Sequence, residues 1–245
     1  FVGRALRGDF GQSLVTQRPA FHEVFAVFAP TMQLAAAGAL VSMLLGIPAG
    51  IVAATRRNRP LDYLTMTLAL GGMSMPVFWL GLLLLLLFSF TLGWTPTIGA
   101  GAEGGWLSTV HHLVLPALAL GLSLGAMVTR MTRSAMLEVI RQDYIRTARA
   151  KGLRETLIIA KHALRNAALP ILTIVGINFG IQLGGTILVE IVFARPGMGS
   201  LLISAIYQRD YPQVQALVVV FATSIVLVNI LVDVLYAAFD PRVRA

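Results

Sequence analysis

The chain of 245 residues contains no cysteine, so neither a disulfide framework nor a cysteine-based zinc site is available to it. Charge is scarce: 12% of residues are Asp, Glu, Lys or Arg, about half the share found in a soluble domain. With 57% of residues hydrophobic, that scarcity excludes a water-soluble globule. Catalytic patterns are missing as well. No His-Glu-x-x-His, Gly-x-Ser-x-Gly or Gly-x-x-x-x-Gly-Lys-Ser/Thr phosphate loop occurs, so the chain is not expected to be an enzyme or to hydrolyse ATP alone, and no catalytic residue is assigned. The four histidines are His22, His111, His112 and His162. Adjacent His111 and His112 would point about 100° apart on a helix, with Glu103 the one carboxylate nearby, so no metal site is expected.

What is present is length without charge. Five charge-free runs, Val24–Thr55, Tyr63–Ala102, Gly104–Thr129, Asn166–Val189 and Tyr211–Val232, each reach the roughly 20 residues needed to cross a hydrocarbon core about 30 Å thick. The expected class is an all-α polytopic membrane protein. The net charge of +8 gathers in the short segments between apolar runs, which points to membrane topology rather than nucleic acid. Fourteen Lys and Arg residues fall on one side of the membrane, in the first and third inter-span loops and the C-terminal tail (Arg242, Arg244). Five fall on the other: Arg4, Arg7, Arg18, Arg195 and Arg209. The positive-inside rule makes the first side cytoplasmic, with the C-terminus inside. Five spans then put Phe1 outside, and a sixth span before it would restore an inside start.

The expected organisation is an external segment over residues 1–27, a transmembrane domain over 28–240 and a cytoplasmic tail over 241–245. The spans lie near 29–54, 63–92, 113–136, 168–189 and 213–239. The first opens at Pro30 and sets Gly38, Ser42, Gly46 and Gly50 four residues apart, a spacing that lets helix backbones approach closely. The second would be about 45 Å as one helix. Met75-Pro76 interrupts it, leaving parts of 12 and 16 residues; a single kinked or tilted helix is expected, a re-entrant pair being the alternative. Gly93 to Trp106 reads as an external loop with Trp94 and Trp106 at the interface. The third span begins with Pro116 in its first turn. On the fourth, Gly176, Gly180 and Gly184 centre near 40° at about 100° per residue, and Asn178 and Gln182 near 220°. That gives a glycine packing face opposite an amide face, which meets either another helix or a water-filled translocation path. On the fifth, Asp233 falls near the inner interface.

The cytoplasmic segment Arg130–Arg165 has 36 residues, long for a connector and strongly basic. Its coupling loop, residues 137–166, reads as two short amphipathic helices broken at Gly152. Asp143 is a candidate cap for the first, and the second ends near Leu164. A prong of this kind enters a partner's groove or lies on anionic lipid, and charge alone does not discriminate.

The stretch from Arg146-Thr147-Ala148 through Gly152 to Pro170 resembles the EAA coupling loop of binding-protein-dependent ABC importer permeases. It is most similar to the B-type subunit of the dipeptide, oligopeptide and nickel permease family. Arg146-Thr147-Ala148 occupies the place of Glu-Ala-Ala, and Gly152 sits at the expected offset. The arginine at the acidic position, and Arg165 where many permeases have proline, fit the B-type subfamily. Other segments resemble the family as well: Gly8-Asp9-Phe10-Gly11-Gln12-Ser13, Arg57 to Asp62, Ser74 to Phe78, Glu190 to Gly199, Arg209 to Pro212, and Asp233-Val234-Leu235-Tyr236 to Asp240-Pro241-Arg242. The likeness spans essentially the whole chain and leaves out the family's first transmembrane helix.

The resemblance implies a type I ABC importer transmembrane fold in the bacterial inner membrane, working by alternating access. The implied partners are a homologous C-type permease, two ABC ATPases and an external substrate-binding protein. This chain itself would bind no cofactor, with ATP and magnesium held on the ATPases. Tyr144, Arg146, Thr147, Ala148, Ala150, Lys151, Gly152 and Leu153 would couple to the ATPases, with Ala148, Ala150, Gly152 and Leu153 buried in a groove. Asn178 and Gln182 would face the path, and Gly176, Gly180 and Gly184 would pack helices. Arg195, Pro196, Gly197, Met198, Gly199, Arg209 and Asp210 would form the outer gate or receptor contact. Short peptides are the favoured substrate over nickel chelates, glutathione and sugars. A secondary transporter coupled to ions would need ionisable groups near the midplane, which the five runs lack; a membrane-embedded enzyme would need a convergent titratable set.

Overall fold

A computed structural model describes Gly3 and residues 8–101 and 104–239, with the side chains of Asp233 and residues 235–239 outside that description. The expectations placed on Arg4, Arg7, Glu103, Asp233, Tyr236, the Asp240–Arg242 segment and the 241–245 tail lie outside the described residues. Eight helices carry the described chain: α1 Ala20–Thr55, α2 Pro60–Ser74, α3 Val77–Thr91, α4 Gly105–Ile140, α5 Asp143–Ala150, α6 Glu155–Val192, α7 Met198–Tyr207 and α8 Tyr211–Phe239. No strand is present among the described residues, only an isolated bridge between Gln12 and Pro19. Among the described residues, four helices are long and apolar enough to span a membrane: α1, α4, α6 and Tyr211–Val232 of α8. The α2–α3 pair makes a fifth if the two count as one span.

The helices overrun the expected limits. α1 starts at Ala20, so Pro30 lies inside the helix rather than opening it, and Pro116 and Pro170 are interior to α4 and α6. A hydrocarbon environment offers the backbone no competing hydrogen bonds, which lets helices continue through proline. The second run is not one kinked or tilted helix: it bends by 106° between Ser74 and Val77. Pro76 pushes the residue before it out of helical space, and Met75 sits at φ −88°, ψ 129°. Pro76 is itself extended at ψ 136°, so two consecutive extended residues turn the chain.

The chain forms two compact units. The first comprises Phe1–Gly38, Pro76–Leu120 and Gly180–Val228. Its core joins Phe10, Ala20 and Val24 to Met198, Ala205, Ala216, Leu217 and Phe221. Close approach is explicit at Gly38, where a Cβ would lie 2.3 Å from Gln182 Nε2 and 2.9 Å from Leu120 Cβ.

The second unit comprises Ala39–Met75, Gly121–Phe179 and Asn229–Ala245. Here α1 lies against α4: a Cβ on Gly46 would meet the Gly125 carbonyl oxygen at 2.8 Å, and one on Gly50 would meet Thr132 Cβ at 2.5 Å. The four-residue spacing of small side chains in α1 thus becomes a seam of backbone contact. Val128, Met136, Ile145, Ile158, Ala163, Ala167 and Ile171 form the buried core beneath the basic segment.

Candidate functional site

The basic segment folds as two helices separated by a tight turn at Gly152, but the second does not end near Leu164. α5 ends in a Schellman arrangement: Gly152 N–H donates to Arg149 O (2.9 Å) and Leu153 N–H to Ala148 O (3.4 Å). Gly152 supplies the left-handed residue this requires, at φ +75°. After residues 151–154, α6 begins at Glu155 and passes through a π-helical stretch, Ile158–Ala163, without a break at Leu164. Asp143 does not cap α5. Gln142 holds that position without a side-chain cap bond, and Asp143 lies in the first turn, accepting from Arg146 Nη1 at 3.3 Å.

The turn is braced on both flanks. Arg149 forms a two-point ion pair with Glu155 (3.1 and 2.7 Å), and Asn166 Nδ2 donates to Tyr144 Oη (2.9 Å). Ile145 and Ala148 point into the core. Ala148 is therefore a corrected expectation: its face is already covered by this chain and is not free for a groove. Tyr144, Arg146, Thr147, Ala150, Lys151, Gly152 and Leu153 are exposed, as is Leu157, which the sequence reading missed although it falls four residues after Leu153.

The amide face of α6 also needs correction. Gln182 is buried, and its Nε2 donates to Ala35 O at 3.1 Å while Oε1 has no partner. It meets a helix rather than a path. Asn178, half-buried, donates to Ile174 O on its own helix at 2.7 Å. Of the glycines, Gly176 takes a close contact, since a Cβ there would lie 2.1 Å from Val232 Cγ1. Gly180 is buried, but Gly184 is exposed with nothing of this chain within 4 Å. It therefore packs against no helix among the described residues.

The segment after α6 is scaffolding to a greater degree than its motif suggests. The Glu190 carboxylate accepts from Thr31 Oγ1 (2.7 Å) and Ser200 N–H (3.0 Å), and Thr31 Oγ1 accepts from Met198 N–H (2.8 Å). The carboxylate thus receives the first turn of α7, where the helix dipole favours an anion. Gly197 must be glycine here, because a Cβ would lie 2.2 Å from Glu190 Cδ; Gly199 likewise would drive a Cβ to 2.5 Å from Ile187 Cα. Arg195 is only 2% exposed, and its Nε and Nη1 have no hydrogen-bond partner among the described residues. Burial lowers its pKa from the ordinary value, opposed by the charge of Glu190. Arg195, Gly197, Met198 and Gly199 are therefore not a surface a receptor can touch; Pro196 is exposed.

Asp210 is buried too. It accepts from Ser13 Oγ, Leu14 N–H (3.1 Å) and Gln213 N–H (3.4 Å), while Arg209 beside it is exposed at φ +57°. Burial pushes the Asp210 carboxyl up, but the hydrogen bonds from Ser13 and backbone N–H groups outweigh it and hold the pKa below the usual value. A further ion pair escaped the sequence reading: partly exposed Arg133 grips the buried Asp62 carboxylate through Nε and Nη2 at 2.6 and 2.7 Å, and Asn58 N–H adds a third bond at 3.0 Å. No group of three or more metal-ligating side chains occurs among the described residues.

The chain is similar to known proteins in sequence and in fold. Residues 46–245 match the family described as binding-protein-dependent transport system inner membrane component. Glutathione transport system permease proteins GsiC of Escherichia coli and Shigella dysenteriae are each 45% identical over 244 residues, covering 100% of this chain and 78% of the relative. In fold, the chain is similar to one from the MetNI methionine ABC transporter in an inward-facing conformation, with TM-score 0.75, 17% identity, and 89% and 96% of the two chains covered. A chain of an amino acid ABC transporter gives TM-score 0.65 at 14% identity, covering 88% and 94%. The chain belongs to the binding-protein-dependent transport system inner membrane component family and is a membrane-spanning permease subunit of an ABC importer.

Proposed function

We propose that this permease imports short peptides, with glutathione-like tripeptides the first to test, given the substrate in the names of its 45% identical relatives. It works beside a homologous C-type permease and receives substrate from an external binding protein. Two ATPases, which hold ATP and magnesium, drive it from the cytoplasmic side. The charge asymmetry of the loops supports a cytoplasmic C-terminus. The exposed stripe Ile177, Ile181, Gly184, Leu188 and Ile191 on α6 supports a permease partner, because its alternating spacing of four and three is a helix-packing seam with a glycine at its centre. Asn178, beside that seam, is the remaining candidate for the path.

The observation that carries the reading is the braced elbow at Gly152. Tyr144, Leu153 and Leu157 give it an apolar surface, and Arg146, Lys151 and Arg154 give it cations for the acidic rim of an ATPase groove. Because the elbow rests on a rigid core, a displacement imposed on it passes into the chain rather than being absorbed locally. In importer reconstituted with its ATPases, Gly152→Asn keeps the left-handed turn, which asparagine tolerates, while adding bulk at the tip. Binding-protein-stimulated ATP hydrolysis is expected to fall at least tenfold, with insertion and thermal stability retained. Undiminished stimulation refutes the coupling role.

A further inference from the structure

The turn between α1 and α2 concentrates charge of one sign where the chain supplies no counter-charge. Arg56, Arg57 and Arg59 follow the end of α1 directly, and all three are exposed. From Val24 to Ala102 the one acidic residue is Asp62, and its buried carboxylate is already held by Arg133 Nε and Nη2 at 2.6 and 2.7 Å. None of the three turn arginines forms an ion pair among the described residues. The elbow differs, because Arg146 and Arg149 are paired there with Asp143 and Glu155 of the same chain.

The turn is ordered as well as basic. Arg59 N–H donates to Arg56 O (3.0 Å), Asn58 takes the left-handed conformation at φ 60°, and its N–H donates to Asp62 Oδ2 (3.0 Å). Asp62 and Arg133 thus fix the turn against α4. Arg130 lies one turn before Arg133 on α4; it is exposed, its Nη2 reaching only Met127 Sδ (3.7 Å). It is the first charged residue after the charge-free run Gly104–Thr129, so α4 leaves the hydrocarbon at this level. The α1–α2 turn, tied to α4 one helical turn further on, therefore sits at headgroup depth. With a long apolar run on each side, its few residues project no segment beyond it. On the membrane side of the turn, α2 exposes Leu61, Leu64 and Leu68 in one stripe at helical spacing.

The anion at that depth is the lipid phosphodiester, which a planar guanidinium meets with two parallel hydrogen bonds. A zwitterionic lipid brings its own cation to the site, whereas an anionic one leaves its charge for the arginines. The leucine stripe adds contact that an acyl chain can use and a free phosphate cannot.

We infer that the α1–α2 turn and Arg130 form a binding site for an anionic phospholipid of the leaflet assigned as cytoplasmic, with Arg56, Arg57 and Arg59 at the phosphodiester and the Leu61–Leu64–Leu68 stripe along an acyl chain. Asp62 and Arg133 are positioning residues that hold the turn in place. The site depends on the membrane-spanning fold and not on which solute is imported, and only the naming of the leaflet rests on the proposed orientation.

The complete importer, purified in detergent, is titrated with phosphatidylglycerol or phosphatidylcholine, and bound lipid is counted by native mass spectrometry. Wild type is expected to retain phosphatidylglycerol in preference at one site per copy of this chain. The Arg56→Gln, Arg57→Gln, Arg59→Gln triple variant is expected to weaken that site at least tenfold, with phosphatidylcholine retention unchanged and the ATPases still co-purifying. The corresponding triple lysine variant keeps the charge that sets topology but loses the planar fork, and a loss of about threefold is expected; if the glutamine variant does not assemble, the lysine variant decides. Unchanged phosphatidylglycerol retention in assembled variants, or displacement of the lipid by glycerol 3-phosphate alone, overturns the assignment. Loss of the ATPases with lipid retention unchanged makes the turn a protein contact and overturns it equally. All of these outcomes leave the substrate reading and the coupling elbow at Gly152 where they stand.

Discussion

Gly197→Ala adds one methyl group, and the structure places it where no relaxation is cheap. The residue is at φ −175°, ordinary extended backbone, so alanine suffers no conformational penalty there. The cost comes from contact alone: the new Cβ would lie 2.2 Å from Glu190 Cδ and 2.3 Å from both carboxylate oxygens. An ordinary contact needs over an ångström more, and Glu190, completely buried, cannot yield that distance while keeping Thr31 Oγ1 at 2.7 Å and Ser200 N–H at 3.0 Å. Hydrogen bonds to a charged group are worth about 1.5–3 kcal/mol each, so losing both costs about 3–6 kcal/mol. The assay is a double-mutant cycle by pulse proteolysis of the permease in nanodiscs, using Gly197→Ala, Glu190→Ala and the pair. Once the carboxylate is gone, the added methyl has nothing to collide with, so the double variant is expected to be no less stable than Glu190→Ala alone. Additive losses, or a Gly197→Ala cost below about 1 kcal/mol, would show that the carboxylate does not fix this turn.

The glycine face of α6 makes a second, paired prediction. Gly176→Ala collides with Val232 and is expected to destabilise by about 1–3 kcal/mol as an overpacked contact, whereas Gly184→Ala, with open space around it, gains about 0.5–1 kcal/mol in the isolated subunit and weakens association with the partner permease, read by co-purification. For Asp62 and Arg133, Asp62→Asn removes the charge from a buried carboxylate whose guanidinium partner is partly exposed and is expected to cost about 1–3 kcal/mol; no measurable loss in the same proteolysis assay would remove the pair from the account of that unit. Asp210 has a depressed pKa, so its stabilisation is complete above the unfolded value of 3.8 and fades as pH falls through the lower folded value. Asp210→Asn should therefore lower stability at neutral pH, and its deficit relative to wild type should shrink only below pH 3.8; a deficit that already shrinks near pH 6 contradicts this.

Hydropathy made the spanning helices legible but not their ends. Charge marks where a helix leaves the membrane, yet α1 and α4 continue well beyond the apolar runs because nothing in their flanks stops them: Pro30 and Pro116, read as starts, are interior. Met75-Pro76 was visible as an interruption, but its size was not, since the 106° turn depends on two consecutive residues being extended. The Gly152 turn was legible because a single residue type satisfies a single backbone requirement. Asp62 with Arg133 and Ser13 with Asp210 were not, because their partners lie 71 and 197 residues apart and no local pattern pairs them.

In the segments 190–199 and 209–212, unlike the elbow whose motif residues are themselves exposed, most motif positions are buried, for a physical reason. A motif position such as Gly197, Gly199, Glu190 or Asp210 is one where geometry admits a single solution: a methyl collides, or a carboxylate must collect several donors at once. Such constraints arise inside the molecule, where neighbours are fixed on every side. A docking face asks less of each position, since any tyrosine, arginine or aliphatic side chain of suitable reach will serve a partner. In those segments the motif therefore marks the scaffold. The surfaces it holds out are Leu157 beside the elbow and Leu14, Val15 and Tyr207 beside Asp210. If that division holds, substitutions at the buried set will reduce the amount of folded permease, while substitutions at the exposed set will leave the amount unchanged and reduce its response to partners.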